Sequence, residues 1–182
     1  MRIIAGKFKN RVLEVPKEVT RPTLGVLREA IFNICQGDIE NACVLDLFAG
    51  SGAIGLEALS RGARHVIFVE NNRQALKILH KNIASFAVEN SCTIYPYDVQ
   101  RALIQLQTKE EKFDLIYIDP PYGKQLAEKT LLQLDSLSLL KPHGIIFVEE
   151  DSSMSPDLKS LCLKSTRKIS RSVLQQYVLK HY

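Results

Sequence analysis

From residue 42 onward the chain repeats one pattern, a short apolar run followed by a segment of helical periodicity. The runs are Cys43–Leu47, Val66–Glu70, Cys92–Tyr95, Phe113–Asp119 and Gly144–Glu149. None alternates polar with apolar residues, as a strand with one wetted face would. Strands buried on both faces belong to a parallel sheet with helices packed on each side. The segments 53–61, 72–86, 98–107 and 124–135 supply those helices. The predicted fold class is therefore α/β, Rossmann-like.

The two ends differ from this core. Arg2–Ala5 and Arg11–Val15 flank a turn region at Gly6 and Asn10, which predicts a small hairpin. Thr23 reads as an N-cap, and Leu24, Leu27, Ile31 and Ile34 recur at helical spacing, predicting a helix over 24–35. Segments 161–169 and 173–180 are β-prone and joined by Ser170-Arg171-Ser172, which predicts a terminal antiparallel hairpin. At 182 residues one domain is expected, with 1–36 an extension and 37–182 the core.

Charge divides the chain the same way. Residues 1–30 carry a net +4, residues 151–182 another +4, and the middle −4. Basic ends on an acidic centre suggest a polyanion footprint made by the termini. The opening Met1–Lys7 turns polar too early for a signal peptide, and no apolar run approaches the ~20 residues that cross a bilayer. Cysteines 35, 43, 92 and 162 are scattered and the four histidines lack ligand spacing, so neither a disulfide framework nor a metal site is expected. A reducing cytoplasm fits this composition, and a monomer with no membrane partner is expected.

Two short motifs carry the chemistry. Asp46-Leu47-Phe48-Ala49-Gly50-Ser51-Gly52-Ala53-Ile54-Gly55 runs from the first core strand into a helix, with glycines spaced G-x-G-x-x-G. That spacing allows a tight turn and close ligand approach at a helix N-terminus. Glu70 ends the next strand, twenty residues beyond Gly50, where a carboxylate can accept from both hydroxyls of a ribose. Asp98 follows the third strand, near the expected adenine edge. Asp46 precedes the glycines, where a pyrophosphate would be repelled and a cationic ammonium and sulfonium welcomed. This favours S-adenosylmethionine over NAD. The candidate cofactor contacts are Asp46, Phe48, Gly50, Ser51, Gly52 and Gly55 in the loop, Glu70 and Asn71 after the second strand, and Asp98 and Val99 after the third.

The fourth strand ends in Asp119-Pro120-Pro121-Tyr122. Two prolines fix φ and remove two N–H donors, leaving a stiff loop rich in acceptors. An exocyclic amine on a base is a poor nucleophile because its lone pair is delocalised. The Asp119 carboxylate and the Pro120 carbonyl can hold its two hydrogens and turn the nitrogen toward a methyl donor. Tyr122 offers a ring for base stacking. Catalytic candidates are Asp119, Pro120 and Tyr122, and the base must be single-stranded or flipped.

These motifs resemble the RsmD family of bacterial methyltransferases. The resemblance also rests on Met1–Gly6, Arg21-Pro22-Thr23, Arg28–Asn33 and the run from Asp46 to Arg61. It implies a class I S-adenosylmethionine-dependent methyltransferase fold with seven strands, the last antiparallel. It further implies methylation of a guanine N2 in 16S ribosomal RNA of the 30S subunit or its precursor. Arg2, Lys7, Lys9, Arg11, Arg21, Arg28 and Pro121 are then candidate RNA contacts. Leu24-Gly25-Val26-Leu27 departs from the family, which carries an Asp and a basic residue there. Rival readings are an adenine-N6 DNA methyltransferase, whose similar loop more often begins with Asn, and a non-catalytic RNA-binding assembly factor.

Overall fold

A computed structural model describes residues 1–16, 23–35, 37–121 and 125–180. Helix α1 (Thr23–Ile34) follows the N-terminal segment; then come β1 (Cys43–Leu47), α2 (Ala53–Ser60), β2 (His65–Val69) and α3 (Arg73–Phe86). A short 3-10 turn leads into β3 (Cys92–Tyr95), followed by α4 (Val99–Thr108), β4 (Phe113–Ile118) and α5 (Leu126–Ser136). Three strands close the chain, β5 (Leu140–Glu150), β6 (Leu161–Ile169) and β7 (Ser172–Leu179).

The seven strands form one sheet in the order β3-β2-β1-β4-β5-β7-β6. Strands β1 to β5 pair in parallel, and β7 is antiparallel to both β5 and β6. The predicted terminal hairpin exists, but its second strand is inserted between β5 and the first. Strand order reverses between β1 and β4, the switch point where open α/β sheets bind ligands.

Alternate residues of each strand enter two separate cores. Val44, Val66, Phe68, Leu115 and Phe147 pack on one face with α1, α2, α3 and the N-terminal segment. Leu45, Leu47, Ile116, Ile118 and Val148 pack on the other with residues of α4 and α5. Burial on both sides is why these strands show no alternation in sequence.

Most predicted boundaries shift by one or two residues, and three differences bear on the fold. Thr23 is the first helical residue rather than the cap. Strand β5 begins four residues early, at Leu140, because a register shift between Phe113 and Leu115 lets it keep pairing with β4. The N-terminal hairpin is narrow: a single antiparallel bridge joins Arg2 and Val12, with Ile3 donating to Arg11 O at 3.0 Å and Leu13 to Met1 O at 2.8 Å.

That hairpin docks onto α2. Gly6 has φ 81, and a Cβ there would lie 1.8 Å from the Ser60 carbonyl oxygen, so only glycine brings the two backbones together. Lys7 N donates to Ser60 O at 2.8 Å, and Phe8 N to Ser60 Oγ at 2.9 Å. Ile4 N and Ala5 N donate to the two oxygens of Glu57, at 2.8 and 3.0 Å.

Candidate active site

The loop between β1 and α2 is held at its base by Asp46. This carboxylate, 2% exposed, accepts from the Gly55 amide at 3.0 Å. Burial pushes its pKa up to about 8; the Gly55 hydrogen bond opposes the rise and Glu70 adds to it. Gly55 itself lies against β2, where a Cβ would meet the Phe68 ring at 2.2 Å. Gly50 and Gly52 turn the loop with φ 56 and 80, and Phe48 joins them in the left-handed region at φ 59. A non-glycine residue there costs about 1–3 kcal/mol, a strain concentrated at ligand sites.

Glu70 stands just beyond β2 and reaches back to this loop, accepting from Gly50 N at 2.8 Å. Its other oxygen accepts from Asn71 N and Asn72 N, at 2.9 and 2.7 Å. Asp98 is the exposed N-cap of α4, accepting from Arg101 N at 3.0 Å. The Val99 side chain is buried in the second core. Asn71 is exposed beside Glu70.

Asp46, Phe48, Gly50 and Ser51 line one wall of a pocket at the switch point. Tyr117 and Asp119 from β4 and the loop after it form a second wall; Met1, Leu27 and Arg28 form a third. Glycine loop and catalytic loop thus meet at the switch point. Of the other catalytic candidates, Pro120 is buried, Pro121 is exposed, and Tyr122 lies outside the described residues.

The basic candidates separate. Arg2, Lys7, Lys9 and Arg11 are exposed on the N-terminal hairpin. Arg11 is engaged there, its guanidinium 4.6 Å from the Phe86 ring centroid and donating to the Ser85 carbonyl. Arg2 donates to Asn10 O at 2.7 Å. Arg28 is a correction: it is 2% exposed, pairs with the fully buried Glu57 at 3.5 Å and donates to Arg2 O at 2.5 Å. Its charge is neutralised inside the fold instead of facing a backbone phosphate. Arg21 lies outside the described residues.

Several residues here were not expected from sequence. Glu57 gathers Ile4 N, Ala5 N, Arg28 and Arg61, the last at 2.8 Å. Asn82 of α3 donates to Ser51 O at 2.8 Å and to Glu14 O at 2.9 Å, tying the glycine loop to the hairpin. Tyr117 donates its hydroxyl proton to Glu149 Oε2 at 2.6 Å. A polar residue inside an otherwise apolar strand or helix face was the available signal in each case.

The model of the family described as Conserved hypothetical protein 95 matches residues 1–178. Ribosomal RNA small subunit methyltransferase D of Escherichia coli is 36% identical over 152 residues, covering 83% of this chain and 75% of that protein. The chain belongs to the RsmD family. YlbH of Bacillus subtilis is 38% identical, covering 83% of each. The solved structure of yhhF from E. coli superposes with a TM-score of 0.86 at 30% identity, over 100% of this chain and 99% of that one. The RsmD-family chain therefore has the class I fold of S-adenosylmethionine-dependent methyltransferases, and its pocket fits that cofactor. A buried carboxylate able to ionise against a cation, a loop of tight turns and an acidic residue after β2 are the features that such a ligand requires. Among the described residues, no group of three His, Cys, Asp or Glu is placed to hold a metal ion, and no helix is long and apolar enough to cross a membrane.

Proposed function

We propose that this protein methylates the exocyclic N2 amine of a guanine in 16S ribosomal RNA, within the 30S subunit or its precursor. One observation carries the reading: Asp46 and Asp119 open into the same pocket across the β1/β4 switch point. The relatives named for small-subunit ribosomal RNA supply the substrate class.

S-adenosylmethionine supplies a methyl on a sulfonium; the amine nitrogen takes it, the sulfur keeps the bonding pair, and one amine proton leaves. The chain's own groups do the positioning. Asp46 faces the donor's positive charge, and Glu70 receives its ribose hydroxyls. Asp119 and the Pro120 carbonyl accept the two amine hydrogens, which aims the nitrogen and stabilises its developing charge. Tyr122 stacks on the base, worth about 1–3 kcal/mol. The exposed Arg2, Lys7 and Lys9 of the hairpin contact the RNA backbone from the 1–36 extension. The protein acts as a monomer in the cytoplasm.

Replacing Asp119 by Ala tests the assignment. Methyl transfer from radiolabelled donor to 30S particles is expected to vanish while donor binding, read by calorimetry, persists. Normal transfer by the variant would overturn the role. Mass spectrometry of the product separates guanine N2 from adenine N6.

A further inference from the structure

Tyr117 sits where the two halves of the proposed site meet. Its register partner on β1 is Asp46, and Asp119 follows two positions later, just beyond the end of β4. Tyr117 is 3% exposed, yet it lines the pocket together with those two carboxylates. The hydroxyl proton is already committed, donated to Glu149 Oε2 at 2.6 Å, and Glu149 is itself 3% exposed at the end of β5. A phenol whose proton points into the protein keeps its oxygen lone pairs for other partners. Donation to a carboxylate also raises the electron density on that oxygen.

Burial first, then the negative charges of Asp119, Glu149 and Asp46, hold the phenol's pKa well above its usual value. Tyr117 therefore stays protonated and can offer the pocket only an acceptor. A neutral acceptor in an acidic surrounding selects for an N–H that carries positive charge. The positive groups that Asp46 is assigned to face are the ammonium and sulfonium of the donor, and only the ammonium has hydrogens to give.

We propose that the Tyr117 oxygen accepts a hydrogen bond from the ammonium group of the donor cosubstrate, and that Glu149 is the positioning residue that turns this oxygen toward the pocket. The inference rests on the reading of the pocket as a donor site and assigns it a contact beyond Asp46.

Calorimetry with S-adenosylhomocysteine, which keeps the ammonium, and methylthioadenosine, which lacks the amino-acid portion, tests it without turnover. Tyr117→Phe is expected to weaken S-adenosylhomocysteine by about tenfold and leave methylthioadenosine within about twofold. Glu149→Gln is expected to weaken the first ligand alone, and to add no further loss in the Tyr117→Phe background. Thermal melts of each variant identify any loss of folding. Unchanged S-adenosylhomocysteine affinity in Tyr117→Phe, equal losses for both ligands, or additive losses in the double variant would overturn the proposal. If the wild-type protein binds neither ligand, the reading of the pocket fails instead.

Discussion

Asp46 Oδ2 accepts the Gly55 amide at 3.0 Å, nine positions on in the chain, so one buried carboxylate both closes the β1–α2 turn and faces the pocket. The two duties conflict electrically. Burial favours a neutral acid, whereas a cationic ligand needs the ion.

The conflict predicts a pH signature. With its carboxyl raised by burial to about 8, folded Asp46 holds a proton that the unfolded chain has lost above about pH 4. The associated stability is present at low pH and is lost as pH rises through 8, at up to ~1.4 kcal/mol per pH unit. Binding of S-adenosylhomocysteine expels that proton, so affinity falls as pH drops below about 8. Calorimetry in two buffers of different ionisation enthalpy should detect proton release in the wild type and none in Asp46→Asn, whose side-chain oxygen still serves Gly55. Release that survives the substitution would assign the proton to another group.

Glu57 should prove to be the costliest single charge to remove. Glu57→Gln leaves Arg28, 2% exposed, without its counter-charge and weakens the acceptors of Ile4 N and Ala5 N. Breaking a buried pair on one side costs about 3–5 kcal/mol. Urea denaturation should show the loss, and hydrogen exchange should show faster exchange at the Ile4 and Ala5 amides. A change below about 1 kcal/mol with those amides still protected would mean the hairpin docks by its apolar contacts.

Lys7 and Lys9 are exposed, so replacing both by Ala should leave stability within about 0.5 kcal/mol. If the hairpin contacts RNA, affinity for a 16S fragment should fall and its salt dependence flatten by about 0.7–0.9 per lost phosphate contact. An unchanged slope places the RNA elsewhere.

The sequence exposed the sheet-forming runs because burial on two faces removes polar positions, and it exposed the glycine loop because turns and close approaches demand glycine. Arg28 was misread as a surface cation for a physical reason. Nothing in a helix such as Leu27-Arg28-Glu29 reveals that its partner is a glutamate of α2, 29 residues on, itself buried under the hairpin. Glu57, Asn82 and the Tyr117–Glu149 pair were hidden in the same way, as polar residues satisfied only by distant segments.

Local chemistry therefore determined the strands, the helices, the glycine turn and the proline-stiffened corner, since each follows from residues within one turn or one strand of each other. Tertiary packing decided that β7 enters the sheet between β5 and β6, that Met1 and α1 supply one wall of the pocket, and that Asp46, Tyr117 and Asp119 share it. Those outcomes depend on pairing and charge compensation between segments far apart in the chain, which spacing alone does not record.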